Sequence, residues 1–346
     1  MSQSGPRVTV FMPVYNRQAF VAESIQSILD QSFEDFELLV IDDGSTDRST
    51  EAIASFDDPR IRLVQNDRNL GIPRTRNRGL ELARGEYIAL LDSDDLAYRE
   101  RLSLQVDYLD RNREVAAVGS WAHRVSRAGE RRTSIYRPTS PRSIRARILF
   151  VGCFKNPTMM ARTAVLREFR YHEDFTYCQD IELWSRISNK YPLANLPRYL
   201  TLYRLGGDSH RDVALAERLK TQIAESQLHH LGIDHNESDL RRHHQLRNLK
   251  GFDPDAEYID WCEEWLLKLV ATNAVNHCFP EPDFAVAAAE RWYRLGAIAG
   301  PELFATRFLT SPTLRRSLPA LGMNLAKTGL RLGMASFLDS LHSRRT

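Results

Sequence analysis

The first hundred residues alternate short apolar or β-branched runs with stretches whose apolar residues recur at helical spacing, the pattern of a βαβ architecture. Strands are predicted over residues 8–12, 37–41, 61–65 and 87–91. Between them, Phe20, Ile25, Ile28 and Leu29 mark one helix face, and residues 47–56 and 74–83 mark two further helices. A parallel sheet follows, and such sheets take ligands at the carboxyl ends of their strands. The unusual residues fall there: Tyr15 and Asn16, Asp42 to Ser45, and Asp92 to Asp95.

Strand-like pieces at 116–121, 158–161 and 200–205 and a helix over 180–189 are predicted to complete the sheet. After Gly207 the pattern is almost continuously helical, broken at Gly232, at Gly251 to Pro254, at Pro280 to Pro282, at Gly300-Pro301 and at Pro312. The expected division is an α/β domain over 1–210 and a helical region over 211–346.

Composition narrows the class. With 42% apolar and 27% charged residues among 346, the chain has the make-up of a folded globular protein. A formal net charge of +2 gives no global field for a nucleic-acid partner. The four cysteines, Cys153, Cys178, Cys262 and Cys278, have no metal-finger spacing and read as reduced thiols. The absence of a signal-peptide pattern and of a long apolar run predicts a cytoplasmic protein without a membrane span.

Two acidic clusters carry the chemistry. Asp42-Asp43-Gly44-Ser45 ends a strand, where a carboxylate can accept hydrogen bonds from a base or a ribose; a turn with a helix cap explains the serine but not two adjacent carboxylates. Asp92-Ser93-Asp94-Asp95 crowds three carboxylates at another strand end, more than one N-cap needs. Oxygen donors of this kind suit Mg²⁺ or Mn²⁺, whose shell a diphosphate can share. Arg74, Arg76 and Arg78 start a helix between the clusters, where guanidinium groups can meet phosphate.

Pro13-Val14-Tyr15-Asn16, Asp42-Asp43-Gly44-Ser45, Asn77-Arg78-Gly79-Leu80, Gly85-Glu86-Tyr87-Ile88 and Leu91-Asp92-Ser93-Asp94-Asp95 together resemble family 2 glycosyltransferases over residues 7 to 210. The resemblance implies a GT-A fold, a Rossmann-like, mostly parallel sheet flanked by helices, with a C-terminal helical extension. It also implies an inverting enzyme. It further implies that the nucleotide lies against Pro13, Val14, Tyr15 and Asn16, that Asp43 grips the base, and that Asp92 and Asp94 form a DXD-type ribose and metal site; Asp42, Ser93, Arg74 and Arg76 are further candidates for donor contact. Cys178-Gln179-Asp180-Ile181-Glu182-Leu183-Trp184 resembles the segment bearing the catalytic base and assigns that role to Asp180, with Glu182 as the alternative, because Gln179 replaces the commoner acid. His210, four residues beyond the family's usual place, is a candidate metal ligand. The remaining histidines, among them His229, His230, His243 and His244, lack a ligand pattern and are assigned to helix surfaces.

Neither the Gln-x-x-Arg-Trp motif of processive synthases nor a membrane span is present, so single-sugar transfer is implied. The expected donor is a nucleoside-diphosphate sugar, UDP-sugar favoured, and the expected acceptor a saccharide or a lipid-linked sugar in bacterial polysaccharide or glycoconjugate assembly. No G-x-G-x-x-G follows the first strand and no P-loop occurs, which argues against a dehydrogenase. A nucleotidyltransferase and a donor-binding module without catalysis stand as rivals. Residues 311–346 hold Arg315, Arg316, Lys327, Arg331, Arg344 and Arg345 against one acid, Asp339, and suggest either a leucine stripe packed on the preceding helices with solvated cations or peripheral contact with the inner membrane face.

Overall fold

The computed structural model describes residues 5–205, 212–249 and 251–299. The candidate ligand His210 and the basic tail at 311–346 lie outside them. The described chain runs β1 (Val8–Val14), α1 (Val21–Leu29), β2 (Phe36–Asp42), α2 (Ser49–Ala54), β3 (Ile61–Gln65), α3 (Ile72–Leu82), β4 (Tyr87–Leu90), β5 (Leu96–Ala97), α4 (Arg101–Arg111), β6 (Ala117–Val125), β7 (Arg131–Ile135), α5 (Pro141–Arg147), β8 (Met160–Arg162), α6 (Thr163–Phe169), α7 (Gln179–Lys190) and β9 (Leu193–Arg204). Four helices follow, α8 (Val213–Leu231), α9 (Glu237–Arg247), α10 (Ala256–Asn276) and α11 (Asp283–Ala299).

Both β1 and β2 are buried at every position, which is why they read as continuous apolar runs rather than as alternating ones. Period two then sorts β1 between two layers. Val8, Val10, Met12 and Val14 join a core with Val21, Ile25 and Ile28 of α1, each such side chain contributing about 1.5–3 kcal/mol when fully buried. Phe11 meets α3, which approaches so closely that a Cβ on Gly79 would lie 2.6 Å from the Phe11 ring.

Strand order among these residues is β3-β2-β1-β4-β8-β6-β9-β5, with β7 on β6. The first four strands are parallel. Beyond β4 the sheet is mixed: β8 runs antiparallel to β4 and β6, while β6 and β9 are parallel. Register aligns the functional ends, since Val14 pairs with Asp42, Asp42 with Gln65 and Phe11 with Leu90. The antiparallel pairing of β5 with Thr201 and Leu202 then ties the segment after β4 to the end of β9.

The described residues divide into two compact units, 5–141 with 152–205 and 212–219, and 142–151 with 220–249 and 251–299. Within the second, the breaks at Gly232, at 251–254 and at 280–282 coincide with the loops between α8, α9, α10 and α11. Asn236 and Asp239 form a reciprocal capping box on α9, and Asp255 caps α10 through the Tyr258 amide at 2.7 Å. His243 does not sit on a helix surface as its sequence suggested. It is fully buried, accepts the Trp265 Nε1 hydrogen at 3.0 Å, and burial, helped by Arg247, pushes its pKa down to about 3. No helix among the described residues is long and apolar enough to cross a membrane.

Candidate functional site

A cleft of about 770 Å³ opens in the first unit, lined by Pro13 near the end of β1, Tyr15 and Arg17 after it, Arg76 of α3, Asp92 to Asp94 after β4, Lys155 to Pro157, Cys178 to Asp180 at the start of α7, and Tyr203 and Arg204 of β9. Of the residues singled out in the sequence, Pro13, Tyr15, Arg76, Asp92, Ser93, Asp94 and Asp180 meet there.

The three carboxylates after β4 do not share one role. Asp95 is buried, accepts the Arg204 amide at 2.7 Å, and has its pKa pushed well up by burial and by the charges of Asp92 and Asp94. It fastens β9 to the turn. Asp92 and Asp94 face the cleft, Asp92 accepting from Arg76 Nη2 at 3.1 Å and Asp94 lying 3.7 Å from Arg17 Nε. Burial, and then the neighbouring Asp92 charge, raise the Asp94 pKa against the pull of Arg17 and Arg204. Two crowded, partly exposed hard oxygen donors on an open cleft fit a divalent cation such as Mg²⁺ or Mn²⁺.

The acidic end of β2 is built differently. Asp43 is 2% exposed and accepts from Asn66 Nδ2 at 2.6 Å and from the amides of Leu70 and Gly71 at 2.9 and 3.0 Å. It does not line the cleft; it pins the loop that leads into α3. Asp42 accepts from the Ser45 amide and the Thr50 hydroxyl, both at 3.3 Å, while its other oxygen is buried with no partner among the described residues. Gly44 belongs in that turn, because at its φ of +73° a Cβ would lie 2.7 Å from the backbone at Arg68 and Asn69. Val14 is buried within β1, and Asn16 spends its side chain accepting the Thr46 amide at 2.9 Å.

The three arginines also separate. Arg74 stands on the exposed face of α3 and pairs with Glu173 at 2.8 Å, so it is not brought to the cleft as expected. Arg78 turns back to the Gln65 carbonyl and the Asn66 side chain. Arg76 alone reaches the cleft. Burial opposes its charge, yet Tyr171, Asp92 and Asp180 hold it above the ordinary arginine value, and its Nη1 is buried without a partner among the described residues.

Asp180 lies in the first turn of α7 but does not cap it: the cap position is Cys178, in left-handed geometry at φ +59°, and no side chain fills that role. Glu182 is spoken for. It is buried, forms a two-pronged ion pair with Arg186 and lies 3.4 Å from His172 Nδ1. Trp184 packs in the core and donates to Asn156 Oδ1 at 3.3 Å. Of the two acids, only Asp180 opens on the cleft.

Sequence reasoning missed Arg17, Lys155 and Arg204. Arg17 Nη1 donates to the carbonyls of Tyr15 and Asn16 at 3.1 Å each, which aims the guanidinium along the β1 loop. Burial, and then Arg137, lower the pKa of Lys155, whose ammonium sits 4.8 Å from the Tyr203 ring centre. Arg204 ties Glu23, the Asp94 carbonyl and the Arg127 carbonyl together at 2.8, 2.8 and 2.6 Å. A Tyr-Arg pair at 203–204 is the one local signal in the sequence that could have found any of them.

A parallel half-sheet that gathers carboxylates and guanidinium groups at its carboxyl end defines an α/β protein that works on a ligand held at the strand ends. The chain belongs to Glycosyl transferase family 2: the family's sequence profile matches residues 9–173, and an uncharacterized glycosyltransferase of Haemophilus influenzae is 32% identical over 247 residues, covering 66% of this chain and 76% of that protein. It is therefore a glycosyltransferase. A putative teichuronic acid biosynthesis glycosyltransferase of Bacillus subtilis, TuaG, is 35% identical over 111 residues, 32% of this chain and 44% of that protein. The crystal structure of S. aureus TarS 1–349 in complex with UDP-GlcNAc shares the GT-A fold, with a TM-score of 0.57 at 18% identity over 84% of this chain and 89% of that one. The matched profile ends before Asp180, so that residue is singled out by its place in the cleft.

Proposed function

We propose that the protein transfers a single sugar, with inversion and with help from a divalent metal, from a nucleoside-diphosphate sugar to a hydroxyl of a saccharide or lipid-linked acceptor. The observation that carries this reading is one cleft holding Asp92 and Asp94 beside Arg17 and Arg76, with Asp180 on the same lining. A UDP-sugar is the favoured donor, in keeping with the UDP-GlcNAc held by TarS. A role in polysaccharide or glycoconjugate assembly is supported by the likeness to TuaG.

The chemistry needs one base and a stabilised leaving group. Asp180 takes the proton of the acceptor hydroxyl as its oxygen bonds to the anomeric carbon; the bond from that carbon to the diphosphate breaks and its electron pair leaves with the nucleotide. Arg76, Arg17 and Lys155 place positive charge where the diphosphate gains negative charge. Asp92 and Asp94 would hold the metal, which supplies further positive charge to the leaving group. Asp43 acts on the donor through the loop it fixes.

Asp180→Asn tests the assignment. Donor affinity should stay nearly unchanged while transfer, or slow hydrolysis of the donor in the absence of acceptor, falls at least about a hundredfold. Full transfer by this variant would place the base elsewhere, and donor binding without turnover in the unaltered protein, across many acceptors, would favour a binding module.

A further inference from the structure

A second constellation of ligand atoms lies in the helical unit, on the last turns of α8. Glu225 and His229 are one helical turn apart on that helix. The chain then reverses at Gly232, whose φ is +82°, and brings His235 back beside them. One ligand atom from each of the three side chains lies within 4.8 Å of the other two. Glu225 Oε1 is 3.8 Å from His235 Nε2, and the His229 and His235 rings stand 5.1 Å apart at 64°.

The reversal is firmly held. The Gly232 and Ile233 amides bond the His229 and Leu228 carbonyls at 2.9 and 3.0 Å, Asn276 Nδ2 donates to Leu231 O at 2.8 Å, and Lys268 Nζ to Asp234 O at 2.7 Å. His235 is thereby fixed in place, its side chain only 7% exposed. Its Nδ1 is 3.1 Å from the Ile233 carbonyl, which can only accept. Nδ1 therefore donates to that carbonyl, and in the neutral imidazole this leaves Nε2, the atom facing Glu225, as the metal-binding nitrogen, the arrangement found for metal-ligating histidines. A simple ion pair between Glu225 and His235 would leave His229 unexplained.

We propose that Glu225, His229 and His235 bind a zinc-class divalent ion, with water as the fourth ligand. Two imidazoles and one carboxylate favour Zn²⁺ over the hard ions suited to the donor cleft. Bonds of about 2.0–2.1 Å place tetrahedral ligands roughly 3.3 Å apart. Glu225 and His229 are both accessible and would turn toward the fixed His235 to close the present gaps. The ion would clamp the end of α8 to the segment entering α9, a function independent of sugar transfer.

The test uses the full-length protein stripped with a chelator and titrated with Zn²⁺ in excess Mg²⁺, which keeps the cleft carboxylates occupied. Bound zinc is counted, thermal stability is followed, and Co²⁺ is substituted to read the visible absorption of a four-coordinate site. The unaltered chain should bind one zinc more than His229→Gln or Glu225→Gln, each of which should weaken zinc binding at least tenfold and abolish the zinc-dependent rise in Tm, while Asp94→Ala keeps both. Equal zinc binding by the unaltered chain and the Glu225→Gln/His229→Gln double variant would overturn the proposal. So would loss of the ion in Asp94→Ala alone, which would place it in the donor cleft.

Discussion

Two acidic strand ends flank β1 on the same parallel half-sheet, and they do different work. At the end of β2, Asp43 is sealed from solvent and three donors take up its oxygens. At the end of β4, Asp92 and Asp94 are partly exposed, crowd each other, and meet arginines across an open cleft. Buried carboxylates with satisfied hydrogen bonds build a wall; crowded carboxylates with spare capacity await a cation or a ligand. The same short acidic motif is thus a structural clamp at one strand end and, in the function proposed above, a binding site at the other, according to what the rest of the chain brings to it.

Substitution at the two ends should pull function and stability apart. Asp94→Ala should lower sugar transfer a hundred- to a thousandfold, about 2.7–4 kcal/mol of transition-state stabilisation, while leaving the urea midpoint unchanged or higher because a crowded charge is removed. A variant that unfolded early instead would make Asp94 structural. Asp43→Ala leaves Asn66 and two loop amides without their acceptor, so urea unfolding should show a loss of about 2–3 kcal/mol. Normal stability with lost donor affinity would instead make Asp43 a direct donor ligand.

The helical unit sharpens the contrast through a partnered group of another kind. His243, with a pKa near 3 in the fold, is neutral there, whereas the unfolded chain binds its proton at about 6.5. As pH falls below about 6.5 the unfolded state takes up the proton first, so this contribution to stability is intact above that pH and is lost between about 6.5 and 3, at up to about 1.4 kcal/mol per pH unit. Urea midpoints between pH 7 and 5 should fall more steeply for the unaltered protein than for His243→Gln. Parallel slopes would mean that His243 does not carry the dependence.

What was legible in the sequence follows the same division. The strands before Asp42 and Asp92 were readable because burial on both faces makes their apolar runs continuous, and the carboxyl-end rule then pointed to the end of the sheet where the cleft opens. The difference between Asp43 and Asp94 was not, since it depends on Asn66, on the loop amides at 70 and 71, and on Arg17, none adjacent in sequence. Arg74 and Arg76 look equivalent on a helix start, yet the twist of α3 gives one to Glu173 and the other to Asp92. Glu182 competes with Asp180 on paper, and its ion pair with Arg186 one turn along, which sets the two apart in the fold, was not read there. Lys155 comes from an irregular segment and Arg204 from a strand whose register against β5 no local pattern encodes. His243 belongs to a helix too polar for its one buried stripe to stand out.

The most direct test of the account is calorimetry of UDP binding to the unaltered protein and to Asp94→Ala, each with Mn²⁺ and with chelator. The unaltered protein should bind UDP at least about tenfold more tightly with Mn²⁺ than without, a gap of about 1.4 kcal/mol or more, and the variant should bind weakly in both conditions. Equal affinity in all four titrations would contradict a metal-assisted donor site at Asp92 and Asp94.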